Sequence, residues 1–227
     1  MKYHIITHDN IGGRSLPHAV APCDKCIENA LEEMAWNVFL YEEHKNELLT
    51  LIPEDMPCKL TNRKKPVDYM DFSKYVVSLQ AIVSQKVKKI FDGLKIPQEE
   101  YSFRRVVLKG FENDPFYFLF IPRIPEKDIV WSKCDFCSTE TFNLKNTVKF
   151  SSWEESRKFF PKYQIHNIAL KKEYENHDIL QPLMCISPFF SDRLVEAFER
   201  EKVIGYKIFR GYHFENFFKQ ELLFDNE

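Results

Sequence analysis

The stretch Ala81-Ile82-Val83-Ser84-Gln85-Lys86-Val87-Lys88-Lys89-Ile90-Phe91-Asp92-Gly93-Leu94 decides the fold. Ala81, Ile82 and Val83 form a short apolar run. Ser84 then offers a hydroxyl to the unpaired amides of a helix start. Val87, Ile90, Phe91 and Leu94 recur at helical spacing, while Lys86, Lys88 and Lys89 fall on the wet side. Downstream, Tyr101 to Leu108 alternates as a strand, and the apolar run Phe116 to Ile121 reads as its hairpin partner. A capped helix between strands predicts an α+β fold.

The same order recurs near the C-terminus. Leu183-Met184-Cys185-Ile186 is a short apolar run, followed by Ser187 as cap and Pro188 at the favoured first helical position. Phe190, Leu194, Ala197 and Phe198 make the helical stripe, Gly205 closes the turn, and Tyr206 to Arg210 enters a strand. Tyr101 and Tyr206 correspond, as do Arg105 and Arg210, at one common separation. This repetition predicts two similar halves of about 110 residues, spanning 1–121 and 122–227. Each half is expected to be a small, mostly antiparallel sheet with a packed helix, the two forming one compact body. The bland alternative is a chance match, since strand–helix–strand pieces are common.

Upstream, residues 2–7 read as a first strand. Asn10-Ile11-Gly12-Gly13-Arg14 reads as a turn, because it lacks the GxxxxGK[ST] pattern of a phosphate loop. A helix is expected from Ile27 to Leu49, stopping short of Pro53. Its outer face carries Glu32, Glu33, Glu42, Glu43 and Glu47.

The chain has 227 residues, 44% hydrophobic and 15% aromatic, which is ample for a core. Lys+Arg 32 against Asp+Glu 34 gives a formal charge of −2, so no global field draws it to nucleic acid or anionic membrane. No stretch approaches a membrane span, and the first residues lack the apolar run of a secretory signal. A cytoplasmic location is therefore expected, where paired cysteines are metal ligands or redox thiols more often than disulfides.

Four of six cysteines form two CxxC pairs, Cys23/Cys26 and Cys134/Cys137, both of the form Cys-Asp-x-Cys. Two such turns can complete a tetrahedral zinc shell of four thiolates. One structural zinc ion held by all four sulfurs would tie the start of the chain to its middle. Two other readings stand beside it: ordinary buried thiols, and a redox CxxC at the start of the helix after Cys26. Cys58 and Cys185 read as a loop thiol and a core thiol.

No HExxH, no GxSxG and no His–Cys ligand spacing occurs. His4 and His8 bracket the end of the first strand, and His18 lies near the first CxxC. Glu99/Glu100 and Glu154/Glu155 are adjacent pairs, which point apart on a strand and need not share a site. No catalytic residue is assigned. Phe159, Phe160 and Tyr163 cluster with Lys158 and Lys162, and a second aromatic cluster, Phe209 to Phe218, lies with Arg210 and Lys219. With no net positive charge, such clusters fit cores and protein interfaces better than nucleic acid.

The C-terminal block of short strand, Ile186-Ser187, amphipathic helix, Gly205 and aromatic strand resembles the end of a bacterial family. These are predicted immunity proteins of polymorphic toxin systems, immunity families eleven and forty-three. The Met1-Lys2-Tyr3 opening and the Ile82-Val83-Ser84 block are similar to that family's first half. Some relatives also carry doubled CxxC motifs, although here Ile27 and Ser138 follow the pairs instead of glycine. The resemblance implies a non-enzymatic protein that binds and neutralises a cognate protein toxin, with no family catalytic residues to carry over. The acidic helix face would suit a basic toxin site.

Two further classes carry distinct expectations. A zinc-stabilised nucleic-acid-binding or regulatory protein would show a contiguous basic surface from Arg63-Lys64-Lys65, Lys86, Lys88 and Lys89. An enzyme with a site between the halves would show a deep polar cleft bringing His4, His8 or His166 near carboxylates.

Overall fold

The structure is a computed structural model that describes residues 2–8, 19–20, 54–60, 65–71, 79–141, 145–185, 187–208 and 221–225. The expected helix at 27–49 with its acidic face, the glycine turn at 10–14 and the aromatic cluster at 209–218 lie outside the described residues, as do Cys23 and Cys26.

The expected helix forms where the sequence places it. Strand β5 (Leu79–Ser84) leads into α1 (Gln85–Leu94), capped by the extended backbone of Ser84. The Ser84 hydroxyl donates to Asp68 Oδ1 at 2.7 Å instead of capping the helix. Val87, Ile90 and Phe91 are buried. Strand β6 (Ser102–Leu108) and strand β7 (Phe116–Phe120) form the expected antiparallel hairpin. Strand β5 pairs antiparallel on the other side of β7, so β5 and β6 run parallel with α1 as the crossover. Strands β2 (Ala19–Val20), β3 (Met56–Leu60) and β4 (Tyr69–Asp71) extend this sheet to the order β2-β3-β6-β7-β5-β4.

The C-terminal helix begins later than the sequence suggests. Residues Phe189–Ser191 are a strand, β11, and α3 (Asp192–Arg200) is capped by Ser191, whose Oγ accepts the Leu194 N–H at 3.3 Å. Ser187 is not the cap and Pro188 is not the first helical residue. The strand β1 (Tyr3–His8) overrides the local signal, because it pairs with Phe189–Ser191 along its first half. Its second half pairs with β12 (Tyr206–Ile208). The N-terminal strand therefore belongs to the C-terminal sheet, whose order is β10-β11-β1-β12 with β10 at Ile179–Leu180.

A third sheet, β13-β9-β8, joins β8 (Asp135–Ser138), the long β9 (Tyr163–Lys171) and β13 (Glu221–Asp225). The short α2 (Trp153–Arg157) precedes β9, its Ser152 cap accepting the Glu155 N–H. Before β8, Ile129 makes an isolated bridge to Leu170 and Trp131–Lys133 forms a 3₁₀ turn.

Both major helices end alike. Lys95 and Lys202 take left-handed backbone (φ 53 and φ 51), and the next residues, Ile96 and Val203, donate back to Phe91 O and Phe198 O and are buried. Each helix also crosses between parallel strands that flank an inserted antiparallel one. The likeness stops there: the inserted strand is β7 in one case and β1 in the other. One sheet has six strands and the other four, and the third sheet has no counterpart. The described residues thus form a mixed α/β body with three small sheets and three short helices, without two similar halves.

Alternation assigns the layers. Val83 and Leu119 face a core shared by α1 and α3, while Ile82, Phe118 and Phe120 face a second core on the other side of the six-stranded sheet. In the four-stranded sheet, Ile6 and Phe190 face the helices and Ile5 and Phe189 face a third core around β9. Gly205 (φ 107) is required where the chain enters β12, because a Cβ there would stand 2.2 Å from Tyr69 O.

Candidate functional site

Strand β9 and the segment before β8 place the described cysteine pair. Cys134 precedes β8 with extended backbone, and Cys137 lies within β8 opposite Gln164. Both are buried. The Cys134 thiol donates to Val130 O at 3.5 Å and its sulfur accepts the Ala169 N–H at 3.4 Å, while the Cys137 thiol donates to Gln164 O at 3.7 Å. Burial pushes both thiols up, with the Ala169 N–H opposing the shift at Cys134. The pair thus occupies extended chain rather than a turn, and its protons are committed to main-chain carbonyls. Among the described residues no group of three or more metal-ligating side chains converges. Bound zinc would require these thiols to ionise, give up those carbonyls and meet Cys23 and Cys26, so no role of a metal is derived from this geometry.

Between the two cysteines, Asp135 is tied to Thr147 Oγ1, Asn167 Nδ2 and Lys149 Nζ. Burial alone would raise its carboxyl, but these partners outweigh it and hold the group below its ordinary range. Substituting Cys134→Ser is expected to cost about 1–2 kcal/mol, since the smaller, more polar oxygen fills a thiol-shaped site poorly. Urea unfolding checks the loss. Metal analysis of the wild type decides whether an ion contributes: stoichiometric zinc that leaves with Cys134→Ser, and equally with Cys23→Ser, Cys26→Ser and Cys137→Ser, would establish the four-sulfur clamp.

A concavity lined by charged side chains lies where the three sheets meet. It is a cleft of about 480 Å³ between the α1–β6 connection, the segment after β7 and the loop before β10. Glu100 sits in its wall and is only 5% exposed. Its Oε2 accepts the N–H groups of Asp178 at 2.7 Å and Ile179 at 2.9 Å. Burial pushes this carboxyl up to about 7; the two N–H donors oppose the shift, and the charges of Asp178 and Glu99 add to it. Behind it, Asp178 is wholly buried and meets the Arg193 guanidinium of α3 and the Ser191 hydroxyl, whose Oγ lies 2.6 Å from Asp178 Oδ1. The Tyr3 phenol donates to the carbonyls of Glu175 and His177, and burial together with the nearby carboxylates raises it. One strand from the N-terminus, one helix from the C-terminus and one central loop therefore lock around a buried acid.

The opposite wall is carried by Asp128, which accepts from Lys171 Nζ at 2.5 Å and Tyr174 OH at 2.9 Å. Arg123 donates to Cys185 O at 2.9 Å. The rings of Tyr174 and His177 lie 5.3 Å apart beside it.

Other expected sites are dispersed. His4 Nε2 lies 2.6 Å from Asp192 Oδ1, on β1 and away from the cleft lining. His166 Nδ1 is buried without a hydrogen-bond partner among the described residues. The side chain of His8 and the residues Arg63 and Lys64 lie outside the described residues. Of the expected basic surface, Lys86 pairs with Asp68 at 2.7 Å and Lys88 with Asp92 at 2.8 Å. Phe159 and Phe160 follow α2 and stand 45% and 69% exposed. Phe159 stacks on Phe150 at 5.2 Å, Arg157 lies 6.0 Å over Trp153, and Lys162 lies 5.8 Å over Tyr163.

Sequence reasoning set Glu100 aside as half of an adjacent pair and did not single out Asp178 or Arg193. The available signal was His177-Asp178 directly before the apolar Ile179-Leu180, a charged entry to a buried strand. No helix among the described residues is long and apolar enough to cross a membrane. No protein-family model matches this chain, and no curated protein matches it.

Proposed function

We propose that this chain is a non-enzymatic immunity protein that grips a cognate bacterial toxin. The observation that carries the reading is the pair Phe159-Phe160. Leaving a phenylalanine in water forfeits about 1.5–3 kcal/mol of burial, and here two consecutive ones stand exposed beside cations held over aromatic rings. Aromatic and arginine side chains are the groups enriched where proteins meet. Phe159 is pre-oriented by its stacking on Phe150, so presenting Phe160 costs little extra ordering. The sequence resemblance to immunity proteins supplies the partner class. The recurring strand–helix–strand units fit a duplication of that unit alone, within a body whose remaining strands are not duplicated.

The reading expects a toxin gene beside this one, and its product is the test partner. Wild-type chain should restore growth of cells producing it and form a complex with it. Phe160→Asp should weaken that complex by at least tenfold, as expected for a central aromatic anchor, with an unchanged melting temperature. A wild-type chain that neither protects nor binds, or a variant that binds equally well, would reject the reading.

A further inference from the structure

We propose that the cleft where the three sheets meet binds a small organic cation, an alkyl ammonium or guanidinium compound, through the Oε1 oxygen of Glu100. This site is separate from the aromatic pair, and its test does not depend on any toxin.

Three observations converge. The cleft, about 480 Å³, lies within the ~300–1,000 Å³ range of small-molecule sites. Glu100 lines it while 5% exposed, and its carboxylate is oriented by two main-chain donors on Oε2 alone. Oε1 accepts no hydrogen bond among the described residues and is not sealed from solvent, so it is open to a donor that enters the cleft. The sign of the charge follows from the neighbours. Asp128 is neutralised by Lys171, while Arg123 keeps its positive charge as it donates to the Cys185 carbonyl, so ionised Glu100, Glu99 and Glu173 outnumber Arg123 and Lys127 by one. Glu99 and Glu173 add two rim carboxylates that make no ion pair among the described residues, against the exposed Lys127. Tyr174 adds an aromatic ring to the lining, a group that attracts cations.

The groups facing Glu100 also fix the pH response. Glu99 adjoins it on its own segment. Asp178, compensated by Arg193 of α3, stands behind it, and the Tyr3 hydroxyl of β1 is occupied by the carbonyls of Glu175 and His177. His177 and Arg123 stand in the wall. A cation therefore competes with the proton on Glu100, and binding strengthens as pH rises through about 7.

Calorimetric titration of the full chain with agmatine, and separately putrescine, tests this. Saturable one-to-one binding is expected for at least one of them, about tenfold tighter at pH 8 than at pH 6. Glu100→Gln keeps an acceptor for both main-chain donors and should weaken binding at least tenfold. Lys127→Glu, at an exposed rim position, should tighten it a few-fold at low salt. Absence of saturable binding of both probes at pH 8, binding unchanged by Glu100→Gln, weaker binding with Lys127→Glu, or tighter binding at pH 6 would each overturn the proposal.

Discussion

Phe198→Ala is expected to lower the free energy of unfolding by about 3–5 kcal/mol, the range for deleting a buried aromatic ring. Phe198 has no exposed surface. Its ring stands edge-on to Phe190 at 5.8 Å, to Tyr206 at 5.0 Å and to Tyr69 at 6.5 Å, and tilted to Phe91 at 6.4 Å. Those partners come from β11, β12, β4 and α1, so one side chain joins α3 to both larger sheets. Edge-to-face pairs add about 0.5–1.5 kcal/mol each beyond burial, and the rigid strands on three sides limit collapse into the cavity. Urea unfolding of the wild type, Phe198→Leu and Phe198→Ala should give a graded loss. Phe91→Ala combined with Phe198→Ala should deviate from additivity, because the two rings line one cavity. A loss below about 1 kcal/mol for Phe198→Ala, or strict additivity, would mean that α1 and α3 do not share a core.

The elements that sequence reading located are those whose signal is local. The period of Val87, Ile90 and Phe91 behind Ser84 marks α1, and the alternation after Tyr101 marks β6 and its hairpin with β7. The C-terminal helix is displaced by a competing signal. Ser187-Pro188 imitates a cap followed by a first helical proline, and Phe190 lies four residues before Leu194, which imitates one more helical turn. Phe190 does enter the same core as Leu194, but from a strand. Only β1, which is distant in sequence, decides between the two by pairing with residues 189–191. The cleft was illegible for the same reason. Glu100 becomes a special residue through main-chain donors at Asp178 and Ile179, and no spacing rule links a glutamate to amides so far along the chain.

Replacing Glu100 by Gln is expected to stabilise the protein at pH 8 by about 2–3 kcal/mol more than at pH 4. That is the value of raising a carboxyl from 4.5 to about 7, reduced for solvent screening at the cleft. The direction follows from proton counting. Between pH 4.5 and 7 the folded protein keeps the Glu100 proton while the unfolded chain has released it. Stability attributable to this group is therefore complete below 4.5, falls as pH rises through 7, and stays low above it. The amide introduced by Glu100→Gln has no proton to lose, and its carbonyl oxygen can still accept from both main-chain N–H groups. The stability difference between variant and wild type should thus open across that window and close again on acidification. Unfolding free energies at several pH values between about 4 and 8 measure it. A difference that runs the other way would mean that the N–H groups of Asp178 and Ile179 favour the charged carboxylate more than burial disfavours it. Glu100→Ala should instead be destabilising at every pH, because both donors lose their acceptor.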